Sequence, residues 1–237
     1  MNKFTVGAVI VVLLALGGLF AWSQVNSGNK VDYSKYNSHS IIEASEDNGN
    51  IGEHVRGKAD SKIVVIEYAD YQCEYCALMM PKMSTLYEKY GDKVAFVFRN
   101  YNLSYHQNAR AASAATEAAG LQDYFWQMAD KIYDAQSDWN YISDTSKRTD
   151  VFVQLFEEAT EGKGDVEKFK SDLTNVNVMK KIDFDIGLGK HVDDIKATPT
   201  IYVNEEEIEV KDGVEDTIAN KLNALLAEAE KEQTDEK

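Results

Sequence analysis

The sequence predicts an α/β fold in which a mixed β-sheet carries helices on both faces. Two observations carry that prediction. The runs Ile63-Val64-Val65-Ile66-Glu67-Tyr68 and Val94-Ala95-Phe96-Val97-Phe98 are short and almost continuously apolar, as central strands covered on both sides are. The longer segments between and after them repeat apolar residues at helical spacing. The resulting order is strand, helix, strand, helical block, hairpin, helix, and a mixed sheet between helices accommodates it. At 237 residues the chain is long enough for one substantial domain with additions.

The N-terminus comes first. Lys3 precedes an uncharged, mostly apolar stretch from Phe4 to Trp22, about long enough to span a bilayer core as a helix. A single Lys ahead of the stretch places the N-terminus inside and the rest outside. Residues 1–22 are therefore expected to be a membrane anchor, or else a cleaved signal segment with Ala21-Trp22-Ser23 as a weak cleavage site. Residues 23–50 are rich in Ser, Asn, Gly and charged residues and read as a flexible tether. Asp47-Asn48-Gly49-Asn50 lacks the ligand alternation of a calcium loop and reads as linker.

The globular part is expected over 51–230. The strand at 63–68 leads through Ala69-Asp70-Tyr71-Gln72 into a helix from Glu74 to Tyr90, with Leu78, Met79, Met83, Leu86 and Tyr87 on its apolar face and a kink expected at Pro81. The second strand follows Gly91. From about 106 to 190 the pattern is helical: an Ala-rich helix ends near Gly120, and further stripes centre on Met128, Phe156, Phe169 and Ile182. Gly187-Leu188-Gly189-Lys190 is too short for a phosphate loop and reads as a helix end. Thr200 to Val210, broken at Asn204, is a hairpin signal, and Val214, Ile218, Leu222 and Leu225 mark a last helix before an acidic tail at 231–237. The net charge of −15 argues against binding a phosphate backbone, so no nucleic-acid partner is expected.

The chain has only two cysteines, in Cys73-Glu74-Tyr75-Cys76, at the junction of the first strand and its helix. Free backbone N–H groups and the positive end of the helix dipole favour a thiolate there, the layout of a thioredoxin-like redox site. Closing so small a ring constrains an unfolded chain little, so the pair is better explained by chemistry than by stapling. A zinc site needs four ligands, and His39, His54, His106 and His191 show no metal spacing with the pair. Cys73 is the candidate nucleophile. Glu74 beside it opposes the thiolate, which predicts a Cys73 pKa below that of a free thiol but short of the lowest known. Glu67, a carboxylate in an apolar strand, is expected to have a raised pKa. Tyr75 either touches the sulfur or substrate, or is a plain surface aromatic.

Val65-Ile66-Glu67-Tyr68-Ala69-Asp70-Tyr71-Gln72-Cys73-Glu74-Tyr75-Cys76, Ala197-Thr198-Pro199-Thr200-Ile201-Tyr202-Val203-Asn204 and the helical block between them resemble the DsbA family of thiol–disulfide oxidoreductases, over roughly Gly57 to Ala227. The anchored layout resembles Gram-positive-type members. The resemblance implies a thioredoxin-like fold with a helical insertion at about 106–190, and a cis Thr198-Pro199 bond packed on the disulfide. It further implies that Cys76 resolves the mixed disulfide and that Glu67 shuttles a proton to or from Cys76; the alternative for Glu67 is a structural residue reaching water at a strand end. Thr198 and Pro199 would pair with a substrate strand by β-augmentation. No cofactor is expected beyond the Cys73–Cys76 disulfide. The chain departs from the pattern in having Glu74, not Pro, after the first cysteine, which bears on the redox potential.

The expected function is an extracytoplasmic, membrane-tethered oxidase (secreted if the N-terminal segment is cleaved) that forms disulfides in unfolded or reduced exported proteins. By analogy with the family, a quinone-linked membrane partner recharges it. The alternatives are an isomerase or reductase using the same cysteines, and a tethered binding or chaperone module without redox activity.

Overall fold

A computed structural model of the chain describes residues 31–235. From Tyr33 onward they form one compact unit. Strand β1 (Val55–Gly57) precedes β2 (Val64–Ala69), helix α1 (Glu74–Tyr90) and β3 (Ala95–Asn100). A helical block follows, with α2 (Ala109–Gly120), α3 (Phe125–Asp134), α4 (Gln136–Trp139), α5 (Thr145–Ala159), α6 (Val166–Asp172) and α7 (Val176–His191). The hairpin β4 (Thr200–Val203) and β5 (Glu206–Ile208) and helix α8 (Val214–Asp235) complete it. The fold is thioredoxin-like, with the expected helical insertion between the cysteine helix and the strand after Pro199.

The sheet has five strands in the order β1-β3-β2-β4-β5. β2 is its centre, parallel to β3 and antiparallel to β4, with Ile66 opposite both Val97 and Tyr202. Every residue of β2 and β3 is buried, as their largely apolar runs predict, and with them the polar Glu67, Arg99 and Asn100. On one face Ile63, Val65, Phe96, Ile201 and Val203 pack against Met79 and Leu86 of α1 and Ile218 and Leu222 of α8. On the other, Val64, Ile66, Tyr68 and Val97 form a separate cluster with Ile195 and Tyr202. The insertion has its own core of Phe125, Met128, Trp139, Phe156 and Phe169, joined to the sheet through Tyr71 and Phe98. That continuity fixes the insertion over the cysteine end of the sheet.

Three expectations change. Strand β1 was not foreseen, because Val-Arg-Gly is too short and too polar to show a period. Helix α4 is likewise too short to leave one. The third change is larger: the part of the expected tether that is described is packed, and the compact unit begins at Tyr33 rather than near residue 51. Ser38, Ile42 and Asn48 are buried. Tyr33 lies across α7 at Gly187, where an added Cβ would come within 2.0 Å of its hydroxyl oxygen and push the ring aside. The carbonyls of Ser38 and Ser40 accept from the guanidinium of Arg99, which is fully buried and also bonded to Glu53 (2.9 Å). The expected membrane segment at 1–22 lies outside the described residues. Among the described residues no helix is long and apolar enough to cross a membrane.

Candidate functional site

β2 ends at Ala69, and Asp70 turns the chain. Its buried carboxylate accepts from the N–H of Gln72 (2.7 Å), the N–H of Leu103 (2.7 Å) and Nδ1 of His106 (2.8 Å), while its carbonyl accepts from the N–H of Cys73 (3.0 Å). Cys73 then occupies the N-cap of α1 with extended backbone (φ −75°, ψ 125°) and makes no side-chain capping bond. Its sulfur is thus left facing the free N–H groups of the first turn. Gln136 of α4 donates to the carbonyls of Tyr71 (2.8 Å) and Cys73 (3.2 Å), tying the cysteine loop to the insertion.

Both cysteines are free thiols. Cys73 is 6% exposed and Cys76 is 1% exposed, so the first sulfur is reached from solvent and the second is not. The Cys73 pKa is pulled down to about 5: a bond from the Cys76 thiol contributes most, the Thr198 hydroxyl and the N–H groups of Cys76 and Tyr75 add to it, and burial opposes them. Cys76 moves the opposite way, pushed well above the ordinary thiol value by burial first, then by its bond to Cys73 and the nearby charge of Glu67. The two thiols therefore have the unequal acidities that nucleophile and resolving cysteine need.

Glu67 points to the α1 face of β2, the side of Ile63 and Val65. Burial, then the negative charge of Cys73, raises its pKa to about 8. A cavity of about 40 Å³ reaches it between Met83, Trp126 and Tyr133, room enough for a water molecule. The Tyr133 hydroxyl and Trp126 Nε1 in its wall have no protein partner. A protonated carboxyl beside a buried thiol, with a small, mostly apolar crevice at its back, is suited to passing a proton.

Thr198-Pro199 is cis, and β4 pairing with β2 sets it against the cysteines. The carbonyl oxygen of Thr198 lies 3.4 Å from Cys73 Sγ, and its buried hydroxyl has no other partner. Tyr75 is 73% exposed, so it does not cover the sulfur and stands at the rim of a cleft of about 560 Å³ that opens onto Cys73. The structure thus brings Cys73, Cys76, Glu67, Thr198, Pro199 and Tyr75 to one end of the sheet. The Asp70–His106 pair and the amides of Gln72, Asn108 and Gln136 were not singled out in the sequence. Only Asp70, in a breaker segment directly after a strand, left a turn signal. Among the described residues no group of three or more His, Cys, Asp or Glu is arranged to hold a metal ion.

The comparisons agree with this geometry. A family model described as Thioredoxin matches residues 49–220. The oxidised form of BdbD from Bacillus subtilis superimposes with a TM-score of 0.56 at 27% identity, over 79% of this chain and 100% of that one. α-DsbA1 from Wolbachia pipientis gives 0.60 at 22% identity, over 76% and 94%. Among curated proteins, the Na(+)/H(+) antiporter NhaA 1 of Mycolicibacterium vanbaalenii is 31% identical over 155 residues, 64% of this chain; the chain spans only 23% of that relative's length. The matched family model, the shared fold and the unequal pair of thiols lead to one assignment: the chain belongs to the thioredoxin family and has the fold of the solved DsbA proteins.

Proposed function

We propose that the protein is an extracytoplasmic disulfide donor, tethered to the membrane by its N-terminal segment, that oxidises reduced exported proteins. One observation supports this direction above the others: the Cys73 pKa of about 5. A stabilised thiolate stabilises the reduced form, and a pair that is comfortable reduced is a strong oxidant.

The exchange runs in two displacements. A substrate thiolate attacks Cys73 Sγ of the disulfide; the Cys73–Cys76 bond breaks, and Cys76 leaves and takes the proton of Glu67. A second substrate thiolate attacks the substrate sulfur of the mixed disulfide, and Cys73 leaves as the thiolate it favours. Two electrons pass from the substrate dithiol to the cysteine pair. Turnover then needs an electron acceptor, for which a quinone-linked membrane thiol oxidase is the proposed partner.

The test is the reduction potential of the Cys73–Cys76 pair in the full chain, equilibrated in glutathione buffers. A value near about −120 mV supports the donor, and one near about −270 mV replaces it with a reductase or isomerase. A non-redox binding module would keep its activity in Cys73→Ser.

A further inference from the structure

The cleft over Cys73 has a chemical character that the exchange reaction alone does not require. Three tyrosines stand on its rim, Tyr75, Tyr105 and Tyr141, respectively 73%, 72% and 81% exposed. Tyrosines this exposed bury little of their own surface, yet three of them surround one reactive sulfur. Their ring faces carry the negative side of an aromatic quadrupole. Glu74 adds a carboxylate next to Cys73, and the buried Oδ1 of Asn140, in the cleft wall, is an acceptor without a donor. No Lys or Arg is among the residues lining the cleft, while the whole chain carries a net charge of −15. The His106 ring in the wall is engaged at Nδ1 by Asp70.

The walls are also fixed to each other. Gln72 donates to the Asn140 carbonyl (3.0 Å) and accepts from the Asn108 N–H (2.7 Å). Asn108 in turn donates to the carbonyls of Asn140 (2.9 Å) and Ile142 (3.0 Å). Arg148, which does not line the cleft, donates to Asn108 Oδ1 (2.8 Å). The segments bearing Tyr105 and Tyr141 are thereby anchored beside the cysteine loop before any substrate arrives, which lowers the ordering cost of binding.

We propose that this cleft selects reduced protein segments in which an Arg or Lys lies within a few residues of the reacting cysteine. The proposal rests on the disulfide-donor reading above and names its preferred substrate class. An arginine beside the incoming cysteine stacks its planar guanidinium on a tyrosine face and sits near Glu74. The Thr198-Pro199 backbone is left to pair with the substrate main chain. The same arginine also favours the thiolate of its own cysteine, the form that attacks.

The test uses the oxidised full chain and three dithiol peptides that differ only in carrying Arg, Ser or Glu beside each cysteine. Rates are compared per thiolate, after each peptide's thiol pKa is measured, so that intrinsic reactivity cancels. The expected result is an Arg-to-Glu rate ratio of about tenfold at low salt, shrinking as salt rises. The ratio falls severalfold in Glu74→Gln and in the double variant Tyr105→Ser/Tyr141→Ser. A change that merely disturbed the fold would slow all three peptides and leave the ratio alone. A ratio near one, with all peptides oxidised, overturns the selectivity and spares the donor reading. A ratio unmoved by both variants also overturns it. If none of the peptides is oxidised, the donor reading falls, and the selectivity with it.

Discussion

Cys73 Sγ lies 3.4 Å from the carbonyl oxygen of Thr198, a residue 125 positions further along the chain. Antiparallel pairing of β2 with β4, which sets Tyr68 opposite Thr200, brings them together. Thr198 offers the sulfur two groups of opposite preference. Its carbonyl accepts from the thiol, and its hydroxyl, otherwise unpartnered, favours the thiolate. Thr198→Val keeps the shape and the carbonyl and removes the hydroxyl. The Cys73 pKa is then expected to rise from about 5, and the pair to become less oxidising. Alkylation of the reduced protein with iodoacetamide across pH 3–9 reads the first effect. An unchanged midpoint would show that the hydroxyl contributes nothing.

The same depressed pKa makes the reduced protein's stability depend on pH. Folded Cys73 releases its proton near pH 5, and an unfolded cysteine does so near about 8.5. Between those values the unfolded chain binds more protons, so the stability from this group rises with pH, and it is lost as pH falls through 5. Relative to Cys73→Ser, the reduced wild type should be more stable by about 2–3 kcal/mol at pH 7, and no more stable at pH 4. Urea midpoints of the two proteins at several pH values check this; a pH-independent difference would contradict the assigned thiolate.

Glu67 has the opposite sign. Its folded pKa of about 8 lies above an unfolded value of about 4.3, so the folded state holds the proton longer. Its contribution is complete below pH 4.3 and is lost as pH rises through 8. Glu67→Gln should therefore gain stability on the wild type as pH rises over that window. Its oxidising step should slow by on the order of hundredfold, because Cys76 then leaves without its proton donor. Stopped-flow reduction of the disulfide by a dithiol peptide measures this, and the wild-type pH profile should lose its inflection near pH 8 in the variant.

The legible parts of the site were those with a local signature. Cys73 and Cys76 announced themselves by spacing and by position after a strand. Glu67 did so by breaking an apolar run, and Thr198-Pro199 by preceding a strand with a residue pair that the family resemblance could interpret. What stayed hidden depends on contacts between distant segments. His106 acquires its place only because Asp70 holds it at 2.8 Å across 36 residues. Tyr105 and Tyr141 are ordinary loop tyrosines until the insertion sets them on one cleft. The segment 33–50 has the composition of a linker, and nothing local in Ser38 or Ser40 reveals that their carbonyls close a shell around a buried guanidinium. Composition reports how a segment would behave alone, and here a tertiary partner overrides it.

That override gives the last prediction. Arg99 is fully buried, and its charge is met by Glu53, the Tyr68 hydroxyl (2.9 Å), the Ser40 carbonyl (2.9 Å) and the Ser38 carbonyl. A chain beginning at residue 33 keeps all four. A chain beginning at residue 51 keeps Glu53 and Tyr68 but loses both carbonyls, along with the buried Ile42 side chain. Losing two hydrogen bonds to a charged group costs about 3–6 kcal/mol, a large share of a domain's net stability. The shorter chain should unfold at a much lower urea concentration or fail to fold, although every residue of the cysteine site is present. Equal midpoints for the two chains would mean that water replaces the carbonyls at Arg99 without loss, and that residues 33–50 are a tether after all.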